Sequence, residues 1–189
     1  MDSALIVSAA DAASAKLTEM LTQASIARVS AVNTAGEARR LLALSDFDLY
    51  VINSPIADEA AEKLAHDLTD RMAGEVMVLV KEDKFYEASD RMSAYGIITV
   101  SKPLNRMSFW SALKMAEASH NRFIMMRREN MKLQQKIEDI KIINRAKLVL
   151  VSRLSMTEPE AHKYIEKQAM DMRVTRRAVA DGILKVHEG

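Results

Sequence analysis

Phe47-Asp48-Leu49-Tyr50-Val51-Ile52-Asn53-Ser54-Pro55 is the stretch on which the fold turns. Four consecutive apolar residues, 49–52, are closed by Asn53, Ser54 and Pro55. A run this short, stopped by turn formers, predicts a buried strand of a parallel sheet. Similar apolar runs lie at residues 4–7, 76–80 and 97–100, with a weaker one at 28–32. Between them the spacing predicts helices over 11–24 (Leu17, Met20 and Leu21 on one face), 34–44 (opened by Thr34 as N-cap), 60–72 and 85–94. A further helix begins near Arg106, where Phe109 and Trp110 are expected to pack it onto the sheet. The repeated alternation predicts an α/β unit, (βα)₅, with a parallel five-stranded sheet covered on both faces and right-handed crossovers.

The last helix has no stop signal, since residues 106–154 contain neither Pro nor Gly. With Phe123 as an a position, the a and d residues are Phe123, Met126, Asn130, Leu133, Ile137, Ile140 and Asn144, followed by Lys147 and Val151. That heptad spacing predicts a coiled coil over 121–144, and Asn at two a positions favours a parallel homodimer of fixed register over the alternative, a long helix folded back on its own domain. The pattern degrades after Asn144 as polar residues enter. Beyond residue 154, Thr157 followed by Glu158, Pro159 and Glu160 is a capping box with proline in the first turn. It opens a helix to about residue 172. A break near Arg173 and Val174 precedes a short helix from Thr175 to about 186. The C-terminal part therefore reads as a small all-α unit of three helices, the first shared with the long helix.

Charge divides the chain as the pattern does. Residues 1–120 carry 12 Lys/Arg against 17 Asp/Glu, a net of −5, and residues 121–189 carry 15 against 9, a net of +6. A polyanion, if one is bound, belongs to the C-terminal part. Cysteine is absent, which excludes disulfides and thiolate metal sites. No run reaches the ~18 apolar residues of a membrane span, so no membrane association and a cytoplasmic location are expected. His66, His120, His162 and His187 show no ligand spacing, and no nucleophile–base pair or glycine-rich phosphate loop is evident. Neither an enzyme, nor a metal, nor a cofactor is expected. The 13 methionines read as flexible core filling.

Residues 1–120 resemble a response-regulator receiver, which is a flavodoxin-like fold. The segment 47–55 aligns with that family's third strand and following loop, and Lys102-Pro103 with its Lys-Pro after strand five. The resemblance implies an aspartyl-phosphate pocket at Ser8, Ala9, Asn53, Val80, Thr99 and Lys102, but the chemistry is missing. Asn53 stands in place of the acceptor acid, and an amide cannot form an acyl phosphate. Ser8 and Ala9 replace the acidic pair that would hold magnesium through oxygen ligands. Val80 replaces the hydroxyl residue and Thr99 the aromatic switch. Asp11 comes too late to serve, and Lys102 has no evident partner. The unit is read as a degenerate receiver, in which Asn53 and Lys102 are either remnants at the sheet's C-terminal edge or part of a surface that docks a ligand or protein.

Residues 125–186 resemble the ANTAR family of RNA-binding antitermination domains. The resemblance rests on Arg145-Ala146-Lys147, on Met156-Thr157-Glu158-Pro159-Glu160-Ala161, on Tyr164-Ile165-Glu166-Lys167-Gln168-Ala169-Met170, on Arg173 and on Val179-Ala180-Asp181-Gly182-Ile183-Leu184. Leu148 departs from the glycine usual there, and Arg176-Arg177 is more basic than the pattern. The resemblance implies a dimer that binds hairpins in nascent leader RNA and so prevents a terminator from forming. Basic side chains meet phosphates around splayed loop bases. Arg145, Lys147, Arg173, Arg176, Arg177, Lys163 and Lys167 are the expected contacts, while Tyr164 is expected in the core. The combination is similar to the family's amidase-operon regulator, in which a ligand-sensing partner holds a pseudo-receiver. The other readings are a protein-interaction module whose tail only dimerises, and, less favoured, a DNA-binding regulator.

Overall fold

The computed structural model describes residues 1–187. The chain divides into two compact units, Met1–Ile124 and Met125–Gly189. The division falls inside one helix.

In the first unit the elements alternate: β1 (Ser3–Ser8), α1 (Asp11–Gln23), β2 (Arg28–Val32), α2 (Ala35–Leu42), β3 (Leu49–Asn53), α3 (Ala61–Arg71), β4 (Glu75–Lys81), a 3₁₀ turn (Glu82–Lys84), α4 (Phe85–Ser93) and β5 (Ile98–Lys102). All strand pairs are parallel, in the order β2-β1-β3-β4-β5. The period of two sorts each strand's side chains between two cores. Leu5, Val7, Tyr50, Ile52, Val78 and Val80 meet α2, α3 and α4. Ala4, Ile6, Leu49, Val51, Met77 and Leu79 meet α1 and the start of α5 (Arg106–Leu154).

The α5 face on the sheet consists of Phe109, Ala112, Leu113 and Ala116. Trp110 does not join it. It is 47% exposed, with Lys114 Nζ 5.0 Å from its ring centroid. Adjacent helical residues diverge by about 100°, so burying Phe109 turns Trp110 outward. Helix α2 is shorter than its sequence suggests, ending at Leu42 and leaving Leu44 84% exposed. Its start is doubly fixed. Thr34 Oγ1 accepts from Glu37 N, and the Asp58 carboxylate accepts from Ala35 N and Gly36 N. Those two N–H groups hold the Asp58 carboxyl below its ordinary range. Gly74, just before β4, allows a close approach: a Cβ there would lie 2.3 Å from Phe47 O and 2.6 Å from Tyr50 Cε2.

The second unit consists of the C-terminal part of α5, α6 (Glu158–Asp171) and α7 (Arg176–His187). Its core is rich in alanine, which lets helices approach closely: Ala146 and Leu150 of α5, Ala161, Ile165 and Ala169 of α6, Val179 and Ala180 of α7. At the start of α6 the Glu160 carboxylate accepts from Thr157 N and Oγ1, both at 2.8 Å. Those bonds hold the Glu160 carboxyl below its ordinary range. Helix α6 ends in a paired closure, Val174 N to Ala169 O and Arg173 N to Met170 O, with Arg173 left-handed at φ 54°. Thr175 Oγ1 then caps α7 by accepting from Ala178 N. Among the described residues no helix is long and apolar enough to cross a membrane.

Candidate nucleic-acid interface and the sheet-edge pocket

Register gathers the pocket residues at the C-terminal edge of the sheet, where Ser8 lies opposite Asn53 and Lys81 opposite Lys102. A hydrogen-bonded relay fills the place. Asn53 Nδ2 donates to Ser8 Oγ at 2.9 Å, and Lys102 Nζ donates to Asn53 Oδ1 at 3.0 Å and to the Ser54 carbonyl. The expectation that Lys102 lacks a partner is therefore corrected, because an amide oxygen accepts as a carboxylate does. Burial, and then the charge of Lys81, push the Lys102 ammonium below its ordinary range. Ser8 is fully buried and Val80, 6% exposed, belongs to the core. Thr99 Oγ1 is buried without a hydrogen-bond partner. Asp11 Oδ1 accepts from Asn33 Nδ2 at 3.2 Å, a contact toward the end of β2. Among the described residues no group of three or more His, Asp or Glu is placed to hold a metal.

Asp48 lies at the other end of β3. Burial opposes its charge, but donors from Asp2 N, Ser3 N and Ser3 Oγ prevail and hold its carboxyl below the ordinary range. His120 Nε2 stands 3.8 Å from Asp48 Oδ1.

In the second unit the seven basic candidates fall into different situations. Lys147 Nζ lies 2.7 Å from Glu158 Oε1, and its side chain is only 16% exposed. Arg176 Nη1 meets Glu166 at 3.1 Å. Arg177 reaches Asp181 at 2.8 Å and Asp139 at 3.0 Å, tying α7 to α5. Arg145 is exposed on α5. Lys163, Lys167 and Arg173 are exposed and make no ion pair among the described residues. Tyr164 is 38% exposed, which corrects its expected place in the core. Ala161 and Ile165 take the buried positions, and Tyr164 stands beside Lys163 and one turn from Lys167.

The pairing of Glu158, Glu166 and Asp139 with these cations is not legible in the sequence. Glu158 and Glu166 lie 11 and 10 positions from their partners, and Asp139 lies 38 from Arg177. Spacing carries no signal at such separations. Along α5, Phe123, Met126, Leu133, Ile137 and Ile140 are 43–63% exposed within the single chain. Asn130 and Asn144 are exposed with them.

The fold and sites define a two-part chain, an α/β unit of the receiver fold followed by a small three-helix unit. Residues 131–184 match the ANTAR domain family. The chain is 25% identical over 169 residues to the transcriptional regulatory protein PdtaR of Mycobacterium tuberculosis, covering 89% of this chain and 82% of that protein. The fold of the first unit matches the signal receiver domain of an HD-domain protein from Pseudomonas fluorescens Pf-5. That match has a TM-score of 0.56 at 16% identity and covers 63% of this chain and 96% of the other. It also matches the chemotaxis response regulator CheY4 of Vibrio cholerae, with a TM-score of 0.53 at 15% identity, covering 61% and 98%. The chain is thus similar to a transcriptional regulatory protein along most of its length, with an ANTAR-family match in its C-terminal part and a receiver fold in its first unit.

Proposed function

We propose that the chain is a cytoplasmic RNA-binding antitermination regulator that acts as a parallel homodimer on hairpins in nascent leader transcripts. The observation that carries this reading is the coincidence of the ANTAR match at 131–184 with the +6 part of the chain. Within it Lys163, Lys167 and Arg173 stand exposed around Tyr164 and the end of α6. Cations unpaired among the described residues are available to phosphates, and an exposed tyrosine offers a ring face to an unstacked base. Arg145, Lys147, Arg176 and Arg177 extend the surface, the last three exchanging or sharing their carboxylate partners when RNA arrives.

The functional division is a pseudo-receiver over 1–120, a coiled-coil linker over 121–144 and the RNA-binding domain over 125–186. Control comes without aspartyl phosphorylation, because Ser8, Ala9 and Asn53 supply no carboxylate. Instead, a ligand-sensing or signalling protein docks at the sheet edge around Lys102. Labelled hairpin RNA from leaders adjoining the protein's own gene, set against duplex DNA of equal length, tests the core claim. Preferential, salt-sensitive binding of the hairpin is expected. Equal affinity for the duplex, or no binding of any hairpin, overturns it and leaves a protein-interaction module.

A further inference from the structure

The apolar row of the long helix runs on past Asn144, where its regular heptads break down. A strict heptad after Asn144 places Lys147 and then Leu154 at d. The structure puts Lys147 elsewhere: its side chain is 16% exposed and paired with Glu158 at the start of α6. Lys147 therefore serves the three-helix unit and not the seam. One position on, Leu148 is 69% exposed, and Val151 is 36% exposed.

Leu148 and Val151 fall on the row already described. At roughly 100° per residue, positions 126, 130, 133, 137, 140, 144, 148 and 151 occupy an arc of about 80°. The face that packs into the unit's own core, Ile142, Ile143, Ala146 and Leu150, is centred about 150° away. The row stays in phase because the step after Asn144 is four residues instead of three. From Ile137 the spacing runs 3-4-4 to Leu148, an 11-residue repeat inserted into heptads, and then 3 to Val151. Such a stutter unwinds the left-handed supercoil locally and keeps a seam on one side of a nearly straight helix.

We infer that the dimer seam does not end at Asn144 but continues by this stutter through Leu148 and Val151. The first helix of the ANTAR unit then pairs with its own second copy on the face turned away from the three-helix core. The inference rests on the dimer reading above. The occupant is a second copy because the row is self-complementary: it continues a heptad series without charged residues. Its asparagines at a positions are satisfied best by the identical residue of an in-register partner. Leu148, unusual for the ANTAR pattern, then has a physical role as a seam residue.

The absence of cysteine permits a direct test in the full chain. Ile137→Cys, Leu148→Cys and Arg153→Cys are each oxidised mildly and scored for disulfide-linked dimer. Arg153 is exposed and lies on another face of the helix. Linking at Ile137→Cys and Leu148→Cys, but not at Arg153→Cys, is expected. Linking at Ile137→Cys alone ends the seam at Asn144 and overturns the inference while the dimer stands. No linking at Ile137→Cys, together with a monomer on sedimentation, removes the dimer itself. Equal linking at Arg153→Cys reveals collision and also overturns the inference. Leu148→Glu gives an independent readout: the dimer Kd rises at least tenfold while helical circular dichroism is unchanged. An unchanged Kd counts against the seam.

Discussion

At the scale of single residues, the sheet-edge pocket shows how one substitution reorganises its neighbours. In place of a carboxylate, the Asn53 amide oxygen accepts from Lys102 Nζ and its N–H donates to Ser8 Oγ. The lysine is satisfied without an ion pair, and Ser8, Asn53 and Lys102 all have partners. Restoring only the nucleophile should therefore not restore phosphorylation. Asn53→Asp would place a carboxylate against Lys102 and hold that ammonium charged more firmly. Ser8 and Ala9 would still offer no acid for magnesium, and Val80 no hydroxyl. Incubation with acetyl phosphate and magnesium should leave both the natural chain and Asn53→Asp unlabelled by intact-mass spectrometry. Phosphate on Asn53→Asp would show that the metal finds ligands elsewhere. The missing acids were legible in the sequence because chemistry depends on residue type. The partners of Lys102, and the outward turn of Trp110 and Tyr164, were not. They depend on which side of an element faces the core, and Phe109 and Ile165 decide that for their neighbours.

At the scale of elements, caps and breaks were the most readable features. Thr34, Thr157 and Thr175 all precede helices as expected, because capping is a local interaction. The phase of α5 was less readable. Lysine is tolerated at an isolated d position, so only the placement of Glu158 shows that Lys147 faces its own unit. The end of α6 yields a prediction. Arg173 holds the left-handed position of the closing turn, where glycine is the common residue and a side chain costs about 1 kcal/mol. A strained residue that is also an exposed cation suggests retention for binding. Arg173→Gly should stabilise the second unit by about 1 kcal/mol and raise its unfolding midpoint. It should at the same time weaken hairpin RNA binding. A variant that is more stable and binds RNA equally well would remove Arg173 from the interface.

At the scale of the whole molecule, the proposed RNA binding draws on the charge difference between residues 1–120 and 121–189, −5 against +6. Those charges are not equivalent. Removing Lys147 strands Glu158, whose carboxyl is held below its ordinary range by that lysine, so Lys147→Ala mixes a structural effect with any weakening of phosphate binding. Among the described residues Lys163 and Lys167 have no such partners, and they lie four apart on one face of α6. The double substitution Lys163→Ala with Lys167→Ala should leave thermal unfolding unchanged while lowering affinity for hairpin RNA at low salt. Each lysine–phosphate pairing removed should also flatten the plot of log affinity against log salt by about 0.7–0.9, so the double variant should reduce the slope by about 1.4–1.8. Arg177→Ala serves as the contrast. It breaks the Asp139 link between α5 and α7, so its unfolding midpoint should fall before its salt slope changes. Filter binding over a salt series, with unfolding curves for each variant, separates the two behaviours. A double lysine variant with an unchanged slope would move the phosphate-binding groups off α6 and onto the arginines of α5 and α7.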